Sequence, residues 1–167
     1  ALAWLQRAAG HGDREAQFIL GTVYANGRAG LQVDRDDACA LEWYTRAADQ
    51  GHVAAQYNLA NMYAHGRGTA CAPERAIEWY RRAAEQGAAN AQFSLGVIYA
   101  NGQGVERDEA RAAHWYQLAA NQGDASAQNN LGVMYATGQG VAQDHAQALY
   151  WYGCAAERGY APAQYNL

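Results

Sequence analysis

Residues 127–159 read AQNNLGVMYATGQGVAQDHAQALYWYGCAAERG, and the same text recurs along the whole chain. Trp4, Trp43, Trp79, Trp115 and Trp151 are spaced 39, 36, 36 and 36 residues apart, so a 36-residue period governs the sequence. Tyr24, Tyr63, Tyr99 and Tyr135 each follow a Trp by 20 positions, which confines the three extra residues of the first interval to NGRAGLQVDRDD, 26–37. Ala-Gln recurs at 16–17, 55–56, 91–92, 127–128 and 163–164, and Ala-Ala at 8–9, 47–48, 83–84, 119–120 and 155–156. A low-complexity tract would not hold such a register.

Each period contains two amphipathic patterns separated by glycine. One surrounds A-Q-x-x-L-G-x-x-Y and is called here the LG helix; the other surrounds A-x-x-W-Y-x-x-A-A and is the WY helix. Asp36, Asp108 and Asp144 each stand seven residues before a Trp, where a carboxylate accepts the orphan amides of a WY helix. At the remaining site Pro73 follows Ala72, and proline starts a helix without wasting an amide. Asp13 and Asp124 suit the LG helices in the same way, and Pro162 suits the first turn of the last one. The pairs Gly66/Gly68, Gly102/Gly104 and Gly138/Gly140 follow LG helices and read as left-handed stops; a phosphate cradle would need a preceding strand. Ala16, Leu20, Val23 and Tyr24, with their counterparts in later periods, form the expected core stripe, and the recurring Trp and Tyr read as packing. Gly21, Gly96 and Gly132 sit inside helices, where glycine costs about 1 kcal/mol relative to alanine, so close approach of a neighbour is expected there.

Composition removes whole classes of chemistry. All twelve basic residues are Arg, which excludes lysine Schiff bases and lysine general bases. Ser94 and Ser126 lie outside any nucleophile-elbow motif, and no catalytic residues are expected. A net charge of −4 disfavours nucleic-acid binding, and no apolar run reaches the roughly 20 residues of a membrane span. His11, His52, His65, His114 and His145 occupy different positions of the period, so neither metal nor cofactor is expected. The absence of Lys alongside abundant Ala and Arg fits a GC-rich bacterial genome; the compartment is not legible.

The repeated text resembles the Sel1-like repeat, a relative of the tetratricopeptide repeat, over essentially all 167 residues. The resemblance implies an all-α, right-handed α/α superhelix of two-helix repeats, with 1–12 an orphan helix, 13–50, 51–86, 87–122 and 123–158 full repeats, and 159–167 a partial one. Both ends fall inside the pattern, so a longer parent protein is expected. Departures are few: Ala60 replaces the glycine of L-G, Thr69 replaces the Val after G-x-G, and Gly27/Gly30 carry the insertion. The cysteine-rich branch of the family, associated with β-lactam binding, carries a Cys pair in each unit; this sequence lacks those pairs, so that activity is not transferred.

In such arrays the LG helix lines the concave side, and function is expected where its side chains face outward. Those positions are Phe18, Tyr57, Phe93, Asn129 and Tyr165, then Thr22, Asn61, Val97 and Val133, then Asn26, His65, Asn101 and Thr137, with Asn58 and Asn130 beside them. The aromatics would take side chains of a bound peptide and the amides its backbone, unless the rings pack between helices instead. Lys is absent and no Arg falls among these positions, so capture of an anionic tail is not expected. The reading is a protein or peptide interaction scaffold, with self-stacking through open ends available to it. A spacer or regulatory arm, or a carbohydrate-binding or hydrolytic module, are the alternatives. Cys39 and Cys71 lie near the starts of successive WY helices, where neighbouring units come together, so two readings stand side by side: a Cys39–Cys71 disulfide, or three free thiols.

Overall fold

The computed structural model describes residues 2–166, which form two compact units, 2–86 and 87–166. The first contains α1 (Leu2–Gly10), α2 (Arg14–Asn26), α3 (Asp37–Asp49), α4 (Val53–His65) and α5 (Pro73–Glu85). The second contains α6 (Ala89–Asn101), α7 (Glu109–Asn121), α8 (Ala125–Thr137), α9 (His145–Glu157) and α10 (Ala161–Asn166). No strand occurs among the described residues. Even-numbered helices are LG helices and odd-numbered ones are WY helices. In the first unit α2 pairs with α3, α4 with α5, and α3 packs on α4; in the second α6 pairs with α7, α8 with α9, and α7 packs on α8.

Capping chemistry sets these boundaries. Asp13, Asp36, Asp108, Asp124 and Asp144 all accept backbone amides of their helices, at 2.7–3.0 Å. Pro73 opens α5, and Gly66, Gly102 and Gly138 close α4, α6 and α8 in the left-handed conformation. One cap was not foreseen: His52 accepts the Ala55 amide on Nδ1 at 3.2 Å, faces Glu15 through Nε2 at 3.1 Å and stacks on Phe18. The insertion folds into a short 3₁₀ turn, Ala29–Leu31, closed by a single antiparallel bridge between Arg28 and Val33.

Leu20, Leu59, Leu95 and Leu131 are the largest fully buried side chains, each contributing about 1.5–3 kcal/mol through apolar transfer. The Tyr of each W-Y pair is buried too: Tyr44, Tyr80, Tyr116 and Tyr152 are all nearly sealed. A methyl on Gly21, Gly96 or Gly132 would fall 2.5–2.7 Å from the ring of Tyr44, Tyr116 or Tyr152, so these glycines make room for a tyrosine face. The preceding Trp is less deep than the sequence suggests. Trp4 is 71 % exposed and only Trp151 is buried, while Arg7, Arg46 and Arg82 lie over Trp4, Trp43 and Trp79.

A buried amide clasp ties successive layers together. Gln17 donates to the Ala9 carbonyl (3.0 Å) and accepts from Gln50 (2.7 Å); Gln56 does the same with Ala48 (3.2 Å) and Gln86 (2.7 Å). In each case one side chain satisfies a carbonyl at the end of one WY helix and the capping amide of the next. In the second unit Gln122 donates to Gln92 at 2.7 Å and Gln128 to the Ala120 carbonyl at 3.1 Å. Arg158, however, stands where Gln50, Gln86 and Gln122 stand, and Gln128 Oε1 is buried without a partner.

The Cys39–Cys71 disulfide reading is corrected: all three cysteines are free thiols. Cys71 Sγ turns toward the Ala64 carbonyl, 3.2 Å away, and Cys39 lies over the Asp36 cap, whose carboxylate raises its thiol pKa.

Candidate functional site

The groove residues do not act as one ladder. They divide between clefts that open where successive LG helices diverge over the tyrosine of the intervening WY helix. In the first unit an open cleft of about 530 Å³ lies between α2 and α4. Thr22, Ala25 and Asn26 form one wall, Asn58, Asn61, Met62 and His65 the other, with Tyr44 and Arg67 completing it. In the second unit the equivalent cleft, about 240 Å³, lies between α6 and α8. Ala100 and Asn101 face Asn130, Val133 and Met134, with Tyr116, Arg107, Glu109 and Gln139 around them. A third depression of about 410 Å³ lies along α2 at Phe18, Ile19, Thr22, Val23 and Asn26, beside Gly27 and Arg28.

The hydroxyl of the WY tyrosine distinguishes the two main clefts. Tyr44 donates to Thr22 Oγ1 at 3.2 Å, and Thr22 in turn donates to the Phe18 carbonyl at 3.1 Å. In the second unit Val97 occupies the Thr22 position and offers no oxygen. Tyr116 meets no such acceptor there, and burial pushes its phenol pKa up while Asn130 nearby pulls it the other way. Asn58 is the counterpart of Asn130; with Tyr44 already satisfied, it makes no side-chain hydrogen bond among the described residues. Asn61 Oδ1 accepts from Tyr80 at 2.6 Å, leaving its NH₂ as the available group.

Charge also differs. Arg67 Nη2 donates to Asp37 Oδ1 at 2.7 Å and to the Ala25 carbonyl at 3.3 Å, and Arg35 binds the same carboxylate at 2.7 Å. Two guanidiniums hold the Asp37 carboxyl down to about 2. This trio carries one net positive charge, and one of its cations lines the cleft. In the second cleft Arg107 pairs with Glu109, so the charges there cancel.

The aromatic positions are partly covered. The rings of Tyr57 and Phe93 each lie 5.8 Å from those of Tyr80 and Tyr116, and Phe18 lies 6.0 Å from Tyr44 and 4.3 Å from His52. All three are half-buried, because each ring leans on the tyrosine of its own hairpin. Asn129 is buried and accepts from Asn166 at 3.1 Å; Tyr165 is 91 % exposed. Val97 is half-buried, and Thr137 donates back to the Val133 carbonyl at 2.9 Å; neither lines a cleft. Tyr44 and Arg67 were missed by the sequence reading. The first is masked by its core spacing, and the second sits inside a G-x-G turn that reads as punctuation.

The hairpin layers, glycine stops and amide clasps define a helical-repeat protein, and the comparisons give its family. The Sel1 repeat profile matches residues 1–13, 14–52, 53–87, 89–124 and 125–160; the chain belongs to the Sel1 repeat family. A protective antigen present in uropathogenic Escherichia coli strains, displaying an SLR fold, is 38 % identical with a TM-score of 0.92, over 98 % of this chain and 34 % of that one. A Sel1 repeat protein from Oxalobacter formigenes is 37 % identical with a TM-score of 0.84, over 96 % of this chain and 63 % of that one. Helicobacter pylori cysteine rich protein B, 23 % identical with a TM-score of 0.63 over 84 % of this chain and 98 % of that one, shares the fold. The chain thus has the all-α solenoid fold of these proteins and spans about a third and just under two thirds of the length of the first two. No curated protein matches. No helix among the described residues is long and apolar enough to cross a membrane, and no group of His, Cys, Asp and Glu among them is arranged to hold a metal ion.

Proposed function

We propose that this chain is a protein-interaction scaffold that holds an extended segment of a partner protein along its LG helices. Sel1 repeat proteins are generally protein-interaction scaffolds and generally non-enzymatic, and the finer reading rests on one observation. Clefts open at the same register in both units, and the residues around them change from repeat to repeat while the framework beneath repeats. Thr22, Asn61, Val97 and Val133 share one register and Asn26, His65, Asn101 and Thr137 another, over a floor of invariant Leu and Tyr. A framework that repeats under a lining that varies suits selective recognition of a heteropolymer.

Panning a random peptide library against the 167-residue chain tests this. Enriched peptides should bind wild type and lose binding when a cleft is filled by Asn58→Trp or Val133→Trp, with binding retained in the outer-face variant Arg82→Ser. Peptides indifferent to both fillings would overturn the groove, and failure to enrich any peptide would favour the spacer arm.

A further inference from the structure

We infer that the cleft between α2 and α4 is a carboxylate-binding subsite, the place where the bound segment presents an acidic side chain or its own terminus. The inference rests on the interaction-scaffold reading and specifies what one of its clefts selects. Three features of the cleft carry it. Asn58 makes no side-chain hydrogen bond among the described residues, and the Tyr44 hydroxyl is taken by Thr22. Asn61 has its oxygen committed to Tyr80, so the group it offers is an NH₂. Arg67 lines the cleft and has only donors, and the Asp37 carboxylate it touches is shared with Arg35, leaving the trio positive. No acidic residue lines this cleft. A surplus of N–H donors with uncompensated positive charge selects an anionic acceptor over a neutral carbonyl, since charge-assisted bonds are roughly twice as strong as neutral ones.

The second unit provides an internal control. At the same register Val133 replaces Asn61, Gln139 replaces Arg67, and Arg107 is neutralised by Glu109. The same fold therefore yields a cleft that should not discriminate carboxylates.

Three blocked peptides test this with the full chain: acetyl-Ala-Glu-Ala-amide, its neutral isostere acetyl-Ala-Gln-Ala-amide, and acetyl-Ala-Ala-Ala ending in a free carboxylate. Titration is followed by nitrogen-15 correlation spectra at the side-chain amides of Asn58 and Asn61 and at Arg67 Nε. At least one carboxylate peptide should shift these signals and bind about tenfold more tightly than the Gln peptide, and the tighter of the two tells a side-chain from a terminal carboxylate. Asn58→Asp, which disturbs no internal hydrogen bond, should remove the preference with melting unchanged. Equal affinity of both carboxylate peptides and the Gln peptide, an unaffected Asn58→Asp variant, or no shift at these three residues would each overturn the subsite. Equal affinity would leave the scaffold reading standing, because the cleft would still be binding peptide, and peptide panning judges that reading separately.

Discussion

The clefts of the two units are built on the same helices, the same buried leucines and the same tyrosine floor, yet they present different chemistry. In the first unit a threonine on α2 takes the Tyr44 hydroxyl and Asn61 and Arg67 line the cleft; in the second a valine on α6 offers no oxygen, and Val133 and Gln139 stand at the other two positions. A few lining positions thus change the chemistry of a cleft while the framework beneath it stays the same. The lesson is that in a repeat protein selectivity can be written into a handful of outward positions without touching the residues that hold the layers together.

The largest effect expected is one the two units share. Leu59→Ala and Leu95→Ala each open a cavity under a fully buried site and should each cost about 2–5 kcal/mol by urea unfolding. Very unequal costs would break the premise of a common framework. Arg158→Gln should restore the clasp that Gln128 lacks and raise stability by about 1 kcal/mol, read as a higher melting temperature; no gain would mean that Oε1 is satisfied by water. Thr22→Val copies the second unit into the first: the Tyr44 hydroxyl should lose its acceptor, and stability should fall by about 0.5–1.5 kcal/mol by urea unfolding. An unchanged stability would mean that the Tyr44–Thr22 bond does not distinguish the two clefts energetically.

The smallest effect is electrostatic, because the Asp37 pairs are open to solvent and screened. The folded state lowers the Asp37 carboxyl from 3.8 to about 2, so its contribution is complete above 3.8 and is lost as pH falls toward 2. Urea midpoints of wild type and Asp37→Asn should therefore differ near neutrality and converge at the acid end of that window. A gap that persists at the acid end would mean Asp37 acts through something other than its charge.

Much of the fold was legible because a 36-residue period writes the same constraints several times over. Helix starts were fixed by Asp13, Asp36, Asp108, Asp124 and Asp144, and helix ends by Gly66, Gly102 and Gly138, all of which act within a turn of where they stand. His52 escaped notice because histidine is an uncommon cap and becomes one here with Glu15 and Phe18 beside it. Of the expected groove, Thr22, Asn26, Asn58, Asn61 and His65 do gather round one cleft, since outward registers on adjacent LG helices must meet. The half-covered rings of Tyr57 and Phe93 were harder to place, because helical phase gives the direction in which a side chain leaves its helix but not how far it leans toward the next.

By itself, then, the sequence determined the two-helix repeat, its caps, its core stripe and the absence of lysine chemistry, all properties carried by local spacing and residue type. Tertiary structure alone decided which polar groups are consumed internally and which remain available. It made a buried clasp of the recurring glutamines, brought Arg67 out of its glycine turn beside Asn58 and Asn61, and left Cys39 and Cys71 as free thiols. The physical reason is that hydrogen bonds and ion pairs are satisfied across helices, between residues 20 to 40 positions apart such as Tyr44 and Thr22 or Arg67 and Asp37, where no local pattern reaches.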